Sequence, residues 1–152
     1  MNISFRNAKE DDVKTLVMIY DKAFYDDFVK YGKCPAYGKS EEMMLDSLRR
    51  LPKEIIICDD CSVGVISVED KGNGEYYVGC LCVIPEYQGK GIGTMAIKHM
   101  IETRSDWKSF SLVTPADKKE NIKFYCEKCG FEPGERQDDD GVEVVSFYLN
   151  RN

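Results

Sequence analysis

The sequence predicts an α/β (α+β) fold in which short strands and amphipathic helices follow one another along one chain. Runs of alternating or β-branched residues are bounded by glycine, proline and aspartate turns, which indicates strands. Between them, apolar residues recur at helical spacing. The chain has 152 residues, of which 43% are hydrophobic and 32% charged. Residues 1–152 are therefore predicted to form one domain with a sizeable core.

The first third of the chain is predicted to form a strand and two helices. Residues 2–7 alternate apolar and polar, which indicates an edge strand. A helix is expected over 10–25, because acidic residues occupy its first turn and apolar residues line one face. Residues 26–38 contain glycine, proline and several aromatic residues and are predicted to be an irregular loop. Ser40 is the expected N-cap of a second helix.

The boundaries of the remaining elements are predicted from turn residues, which separate runs of β-forming residues from runs with helical periodicity. Turns at 59–62 and 71–74 separate three strands, and Gly130 ends the last helix. The predicted strands cover 54–58, 63–68, 75–84 and 109–114, the predicted helices run to about 104 and over 118–129, and a hairpin joins 131–137 to 142–149.

Residues 83–94, Val-Ile-Pro-Glu-Tyr-Gln-Gly-Lys-Gly-Ile-Gly-Thr, are the most informative segment. They lie between a predicted strand and a predicted helix, and glycines stand at 89, 91 and 93. Without Cβ atoms, the backbone N–H groups of such a turn are open to a ligand. The helix dipole adds partial positive charge, so the segment is predicted to hold an anion, a phosphate or pyrophosphate. The alternative is a plain turn whose glycines serve packing.

Two other phosphate-binding motifs do not fit this segment. A P-loop needs Ser or Thr after its lysine and glycine five positions before it, whereas Lys90 is followed by Gly91 and preceded at that distance by Pro85. A dinucleotide-binding fingerprint needs its first glycine directly after the strand, and here irregular residues intervene. No acidic residue ends a second strand at the expected distance for a ribose contact.

The segment resembles motif A of the GNAT acetyltransferase superfamily, a strand ending in Val-x-Pro followed by Gln/Arg-x-x-Gly-x-Gly/Ala. The resemblance implies the GNAT fold, a mixed and mostly antiparallel central sheet of six to seven strands with about four helices. It implies acetyl-CoA as cosubstrate, with the backbone of Leu81 and Val83 on the pantetheine. The pyrophosphate would lie on Gln88, Gly89, Lys90, Gly91, Ile92, Gly93 and Thr94.

Residues 121–131, Asn-Ile-Lys-Phe-Tyr-Cys-Glu-Lys-Cys-Gly-Phe, resemble a second pattern of the same family. By this resemblance Asn121 contacts the pantetheine, and the Tyr125 hydroxyl lies near the sulfur, where a phenol can protonate the leaving thiolate. Tyr125 stands five residues before Gly130, however, where four is usual, and Cys126 takes the usual position. Either a bulge or an extra terminal residue absorbs this shift, or Tyr125 belongs to the core.

The sequence gives only a weak indication of a general base. Some family members carry a glutamate on the central strand at the position of Tyr77. Glu75 lies two residues earlier and on the same strand face, from which it could act through water. The alternatives are that Glu75 is a solvated strand end, or that the amine loses its proton to water alone.

The predicted function is transfer of an acetyl group from acetyl-CoA to a primary amine of a small molecule or peptide, by direct attack. The alternative is a non-catalytic CoA-binding or sensor module of the same fold. By resemblance, the aromatic residues of 28–37 and the C-terminal hairpin flank the acceptor. The net charge of −6 and pI of about 4.9 argue against a nucleic acid partner. No signal segment or membrane span is recognised, so a cytoplasmic monomer or homodimer is predicted.

Four of the seven cysteines occur in two Cys-x-x-Cys motifs, Cys58/Cys61 and Cys126/Cys129. Together they could form a four-thiolate zinc site, which would need all four within bonding distance of one ion. The implied fold places the two pairs apart. The prediction is therefore free thiols and no metal.

Overall fold

The computed structural model describes all 152 residues, and its elements follow the predicted order. The strands are β1 (Ile3–Asn7), β2 (Lys53–Cys58), β3 (Cys61–Gly72), β4 (Glu75–Val83), β5 (Ser109–Pro115), β6 (Glu132–Asp139) and β7 (Val142–Asn150). The α-helices are α1 (Val13–Tyr31), α2 (Glu41–Arg50), α3 (Ile92–Glu102) and α4 (Lys119–Lys123). None of the helices is long and apolar enough to cross a membrane.

The strands form one seven-stranded sheet in the order β1-β2-β3-β4-β5-β7-β6. The pairs β1–β2, β2–β3, β5–β7 and β6–β7 are antiparallel. β4 and β5 pair in parallel, with Glu75 opposite Ser109 and Tyr77 opposite Ser111. The predicted fold class, a mixed and mostly antiparallel sheet with about four helices, is confirmed.

Contacts between residues divide the chain into two compact units, each with its own buried side chains. The first unit comprises Met1–Val68 and Gly79–Ala96, and its fully buried residues include Leu16, Ile19, Met44, Ile55, Ile56, Val63 and Val65. The second comprises Glu69–Val78 and Ile97–Asn152 and buries Met100, Phe110 and Phe147. The single domain expected for residues 1–152 stays a prediction.

Helix α1 is longer than the sequence predicts. The irregular loop expected over 26–38 begins only at Gly32, which ends the helix with φ of 75° and donates its N–H to the Phe28 carbonyl. The helix continues because its last turn has a packing partner. The Phe28 ring stacks on Tyr37 with 4.6 Å between centroids, and Tyr25 approaches the same ring at 5.9 Å. The aromatic residues thus extend the helix that the glycine then stops.

The last predicted helix is shorter and divided. α4 ends at Lys123, and a π-helical turn follows over Phe124–Lys128. There the Cys129 N–H reaches back to the Phe124 carbonyl at 3.2 Å, and the Phe131 N–H reaches the Tyr125 carbonyl at 2.9 Å. A π turn accommodates one residue more than an α turn. The structure therefore has a bulge at the extra residue before Gly130, and it also buries Tyr125, so the role of Tyr125 stays a prediction.

Strand β6 lies at one edge of the sheet, and all its residues are exposed. Its register against β7 shifts between Pro133 and Arg136, which is the mark of a β-bulge. Gly134 lies in this bulge, where an added Cβ would come within 2.5 Å of the Tyr148 ring. Glycine is therefore required for this close approach.

Ser40 caps α2 as predicted: its side chain accepts a hydrogen bond from the Met43 N–H at 3.1 Å. We expect Ser40→Ala to lower the free energy of unfolding by about 1 kcal/mol, because one N–H at the helix start loses its acceptor. Urea denaturation measures the change. In Ser47→Ala, the matched control within the same helix, stability should stay within about 0.5 kcal/mol, since alanine favours helix interiors. Equal losses in both variants would contradict the cap.

Candidate functional site

The segment that follows β4 turns sharply away from the strand. Ile84 is buried and donates its N–H to the Val63 carbonyl at 2.8 Å. Pro85–Tyr87 then form one turn of 3₁₀ helix, closed by bonds from the Tyr87 N–H to the Ile84 carbonyl and from the Gln88 N–H to the Pro85 carbonyl. Proline begins this turn because its fixed φ suits a first helical position.

A side chain fixes the exit of this turn to the end of the strand. The Gln88 amide donates a hydrogen bond of 2.8 Å to the Val83 carbonyl, the last of β4. β3 packs closely on the same strand, since an added Cβ on Gly64 would overlap the Cys82 carbonyl oxygen. The end of β4 is thereby held by two contacts, the Gln88 hydrogen bond from the loop and the close packing of β3.

Gly89 and Gly91 give the loop its shape. They have φ of 78° and 83°, values that residues with a side chain rarely adopt. A Cβ at either position would meet nothing within 4 Å, so the space above both glycines is open. The loop is not constrained by packing at these glycines. The left-handed backbone directs it into α3 and leaves its surface accessible.

The residues predicted to bind a cofactor through this loop differ in exposure. Ile92 is buried at 2% exposure and anchors the start of α3, so only its backbone can contact a ligand. Leu81, Val83 and Gly93 are half-buried. The exposed residues are Gln88, Gly89, Lys90, Gly91 and Thr94. The N–H groups at a helix start have no intrahelical acceptor, which suits this surface to an anion.

In the second unit, Asn121 lies in α4 and Tyr125 lies in the π turn that follows it. The Asn121 side-chain amide donates to the Thr114 hydroxyl at 3.0 Å, which orients the side chain from β5. Tyr125 is buried, and its ring meets Phe131 edge-on at 5.7 Å and lies 6.1 Å from Phe147. The π turn and these rings together fix the direction of the Tyr125 side chain.

Glu75 and Tyr77 lie near the start of β4. Glu75 is its exposed first residue, and Tyr77 is half-buried. Burial, followed by the charges of Asp139 and Glu69, raises the pKa of Tyr77. Tyr77 therefore stays a neutral phenol at physiological pH. The structure does not test Glu75 as a base.

Tyr77 faces a cavity of about 460 Å³ within the second unit. Its lining combines aromatic rings, hydroxyls and carboxylates, contributed by Tyr77, Ser111, Leu112, Val113, Gln137, Asp138, Asp139, Val144, Ser146 and Tyr148. The Lys71 ammonium lies over the Tyr77 ring at 5.9 Å from the centroid. The Tyr77 ring thus already contacts a positive charge, from a lysine that does not line the cavity.

A second cavity, of about 400 Å³, lies within the first unit. It is lined by Asp21, Lys22, Tyr25, Tyr37, Pro85 and Glu86, and so borders the 3₁₀ turn that leads to the glycine loop. The Asp21 carboxylate accepts the Gly38 N–H at 2.8 Å, which fixes the segment after α1. The sequence does not identify Asp21 or Glu86 as cavity residues. Most carboxylates are exposed, and the hydrophobic periodicity of a sequence does not distinguish those that line a cavity from the others.

No group of three or more His, Cys, Asp or Glu side chains is placed to hold a metal ion. Cys58 lies opposite Cys61 across the β2–β3 turn, while Cys126 and Cys129 lie on and just after the π turn. All four thiols are free.

Comparisons with known proteins agree with this architecture. The sequence model of the Acetyltransferase (GNAT) family matches residues 21–131. A crystal structure of an acetyltransferase from Thermus thermophilus superimposes with a TM-score of 0.80 at 12% identity, covering 99% of this chain and 98% of the other. The PaiA N-acetyltransferase of Thermoplasma acidophilum, solved in complex with coenzyme A, gives 0.74 at 18% identity over 96% and 98%.

A curated relative, the uncharacterized protein YrkN of Bacillus subtilis (strain 168), is 45% identical over 66 residues. That match covers 43% of this chain and 30% of YrkN, so it spans less than a third of the relative's length. The solved structures, at their low identities, show the fold, and the family match covers most of the chain. The chain therefore belongs to the GNAT family of acetyltransferases.

Proposed function

We propose that this protein transfers an acetyl group from acetyl-CoA to a primary amine of a small molecule or peptide. The geometry of the glycine loop carries the proposal. Gly89 and Gly91 present an open, left-handed backbone directly before a helix start, and Gln88 ties that backbone to the end of β4. Such a surface suits the pyrophosphate of a CoA molecule. Coenzyme A in the PaiA structure, which shares this fold, supports the same cofactor here.

The reaction we propose needs no nucleophilic side chain. The amine nitrogen attacks the thioester carbonyl, and strand N–H groups near Val83 stabilise the oxyanion that forms. As the intermediate collapses, the carbon–sulfur bond breaks and Tyr125 donates a proton to the leaving thiolate. Asn121 is the proposed contact of the pantetheine arm. Glu75 is the proposed base, which takes one proton from the ammonium nitrogen through water before the attack. The second proton, which the nitrogen loses as the amide forms, replaces the one that Tyr125 donates.

The acceptor is proposed to enter as an ammonium ion. Each unit contains a cavity in which aromatic rings and carboxylates occur together, and both features attract a cation. In one, Tyr25 and Tyr37 lie beside Asp21 and Glu86. The net charge of −6 favours approach of cations in general. An anionic acceptor would lack these attractions.

Transfer itself is tested by following free CoA thiol with a panel of amines, with mass spectrometry of the products. Release of thiol that depends on one class of amine, with an acetylated product, would establish the reaction. Cofactor binding without turnover on any amine would instead favour a CoA-binding module.

Gly91→Ala should weaken coenzyme A binding by at least about 100-fold, because the new Cβ occupies the open space where several amides meet the pyrophosphate. Isothermal titration calorimetry measures the affinity. Gly72→Ala is the matched control, since Gly72 also has a left-handed φ, of 90°, with nothing within 4 Å of its Cβ position. Backbone strain should be similar in both variants, so an equal affinity in both would contradict the loop assignment.

Tyr37→Ala should raise KM for the amine roughly 3- to 10-fold with a smaller effect on kcat, because a ring that faces the cation is lost. Tyr37→Phe keeps the ring and its stacking on Phe28, and should behave like the natural protein. Steady-state kinetics at saturating acetyl-CoA separates the two constants. A loss in the phenylalanine variant would assign the effect to the hydroxyl instead.

Tyr125→Phe should lower kcat by about 100-fold while leaving the affinity for acetyl-CoA nearly unchanged, since only the proton donor is removed. The ring contacts with Phe131 and Phe147 are kept, so the fold should be preserved. Single-turnover kinetics measures the chemical step. An equally active variant would place Tyr125 in the core only, and a loss confined to Cys126→Ser would assign the donor to that thiol.

A further inference from the structure

The Cys58-x-x-Cys61 pair lies at the tip of the β2–β3 hairpin. Asp59 and Asp60 have φ of 46° and 70°, the signature of a two-residue turn in which both central residues are left-handed. This turn places Cys58 directly opposite Cys61 in the antiparallel pair. The tip is anchored, because the Asn2 N–H binds the Asp59 carboxylate at 2.8 Å and the Asp59 N–H binds the Asn2 carbonyl at 2.9 Å.

The hairpin geometry allows a strained disulfide between these two cysteines. Residues directly opposite in an antiparallel pair have Cα atoms about 4.5–5.5 Å apart, within the range of about 4.4–6.8 Å found for disulfides. Their Cβ atoms are about 4.5–5.5 Å apart, whereas a disulfide needs about 3.5–4.5 Å. The contraction required is about 1 Å, which strains the bond and makes it readily reducible.

The two thiols differ in access. Cys61 is exposed, whereas Cys58 is 2% exposed and burial raises the pKa of its thiol, with the neighbouring Asp59 carboxylate adding to the effect. Cys61 is therefore the thiol that reaches an external reagent, and Cys58 is the thiol beside it that completes the bond.

We propose that Cys58 and Cys61 form a thiol–disulfide site that reacts with small-molecule disulfides. In the first step the Cys61 thiolate attacks a disulfide such as oxidised glutathione, and one glutathione thiolate leaves. The Cys58 thiolate then attacks the Cys61 sulfur, and the second leaves. The protein loses two electrons and two protons, and two glutathione thiols form.

Peptide mapping tests the thiol chemistry on the whole protein. After equilibration with oxidised glutathione, alkylation and tryptic digestion, Cys58 and Cys61 lie together on peptide 54–71, while Cys80 and Cys82 lie on 72–90. We expect peptide 54–71 to escape alkylation and to lose the mass of two hydrogen atoms. Recovery of this peptide with both cysteines alkylated would overturn the proposal.

Two single variants and one control resolve the order of the steps. Cys58→Ser should retain glutathione on Cys61 as a stable mixed disulfide, and Cys61→Ser should leave Cys58 reduced. Replacing both cysteines of the Cys126-x-x-Cys129 pair by serine should leave oxidation of peptide 54–71 unchanged. A glutathione adduct on Cys58 in the Cys61→Ser variant would contradict the assigned roles.

Discussion

The close contact between β3 and the end of β4 is the constraint on which the glycine loop depends. Gly64 has no side chain, and the Cys82 carbonyl occupies the space where a Cβ would lie. One residue earlier on β3, Val63 accepts the Ile84 N–H, which holds the chain as it leaves the sheet. A methyl group at Gly64 would push the strand end outward and carry the loop with it. The glycine loop is thus positioned by a packing contact at the end of β4, outside the loop itself.

Much of the fold could be predicted because its signals are local. Ser40 caps the helix that follows it, and the bond to the Met43 N–H is made within four residues. The glycine loop is similarly local, since a left-handed φ at Gly91 depends on the residue type at that position. The full length of α1 could not be predicted, because its last turn depends on Tyr37, which joins the cluster from beyond the helix. Long-range contacts of this kind leave no periodicity to detect.

The candidate site divides in the same way. The residues of the glycine loop are adjacent in sequence and were predictable as a group. The π turn could not be predicted, because a chain can accommodate an extra residue before Gly130 in several ways. The hydrogen bond from the Cys129 N–H to the Phe124 carbonyl identifies the π turn in the structure. The cavity linings were not predictable. Tyr77 and Asp139 are distant in sequence, and only the sheet brings them to one cavity.

Tyr77, one of the residues that line the cavity in the second unit, already makes an interaction of the kind proposed for the acceptor. The Lys71 ammonium lies 5.9 Å from the centre of the Tyr77 ring and 3.4 Å from the Glu69 carboxylate. A lysine side chain is a tethered primary amine, so this contact is of the kind proposed between the acceptor and an aromatic ring. Its ion pair with Glu69 is exposed and contributes little stability.

The exposed edge strand β6 has a consequence for the behaviour of the protein at high concentration. An edge strand offers its free backbone groups as a template on which further chains can add, the first step toward aggregates. In β6, Pro133 has no N–H to offer, and the bulge at Gly134 breaks the regular spacing that a second strand would need. β6 also carries four carboxylates, which would repel the carboxylates of an identical strand added at this edge. The edge that completes the sheet therefore also prevents the sheet from growing.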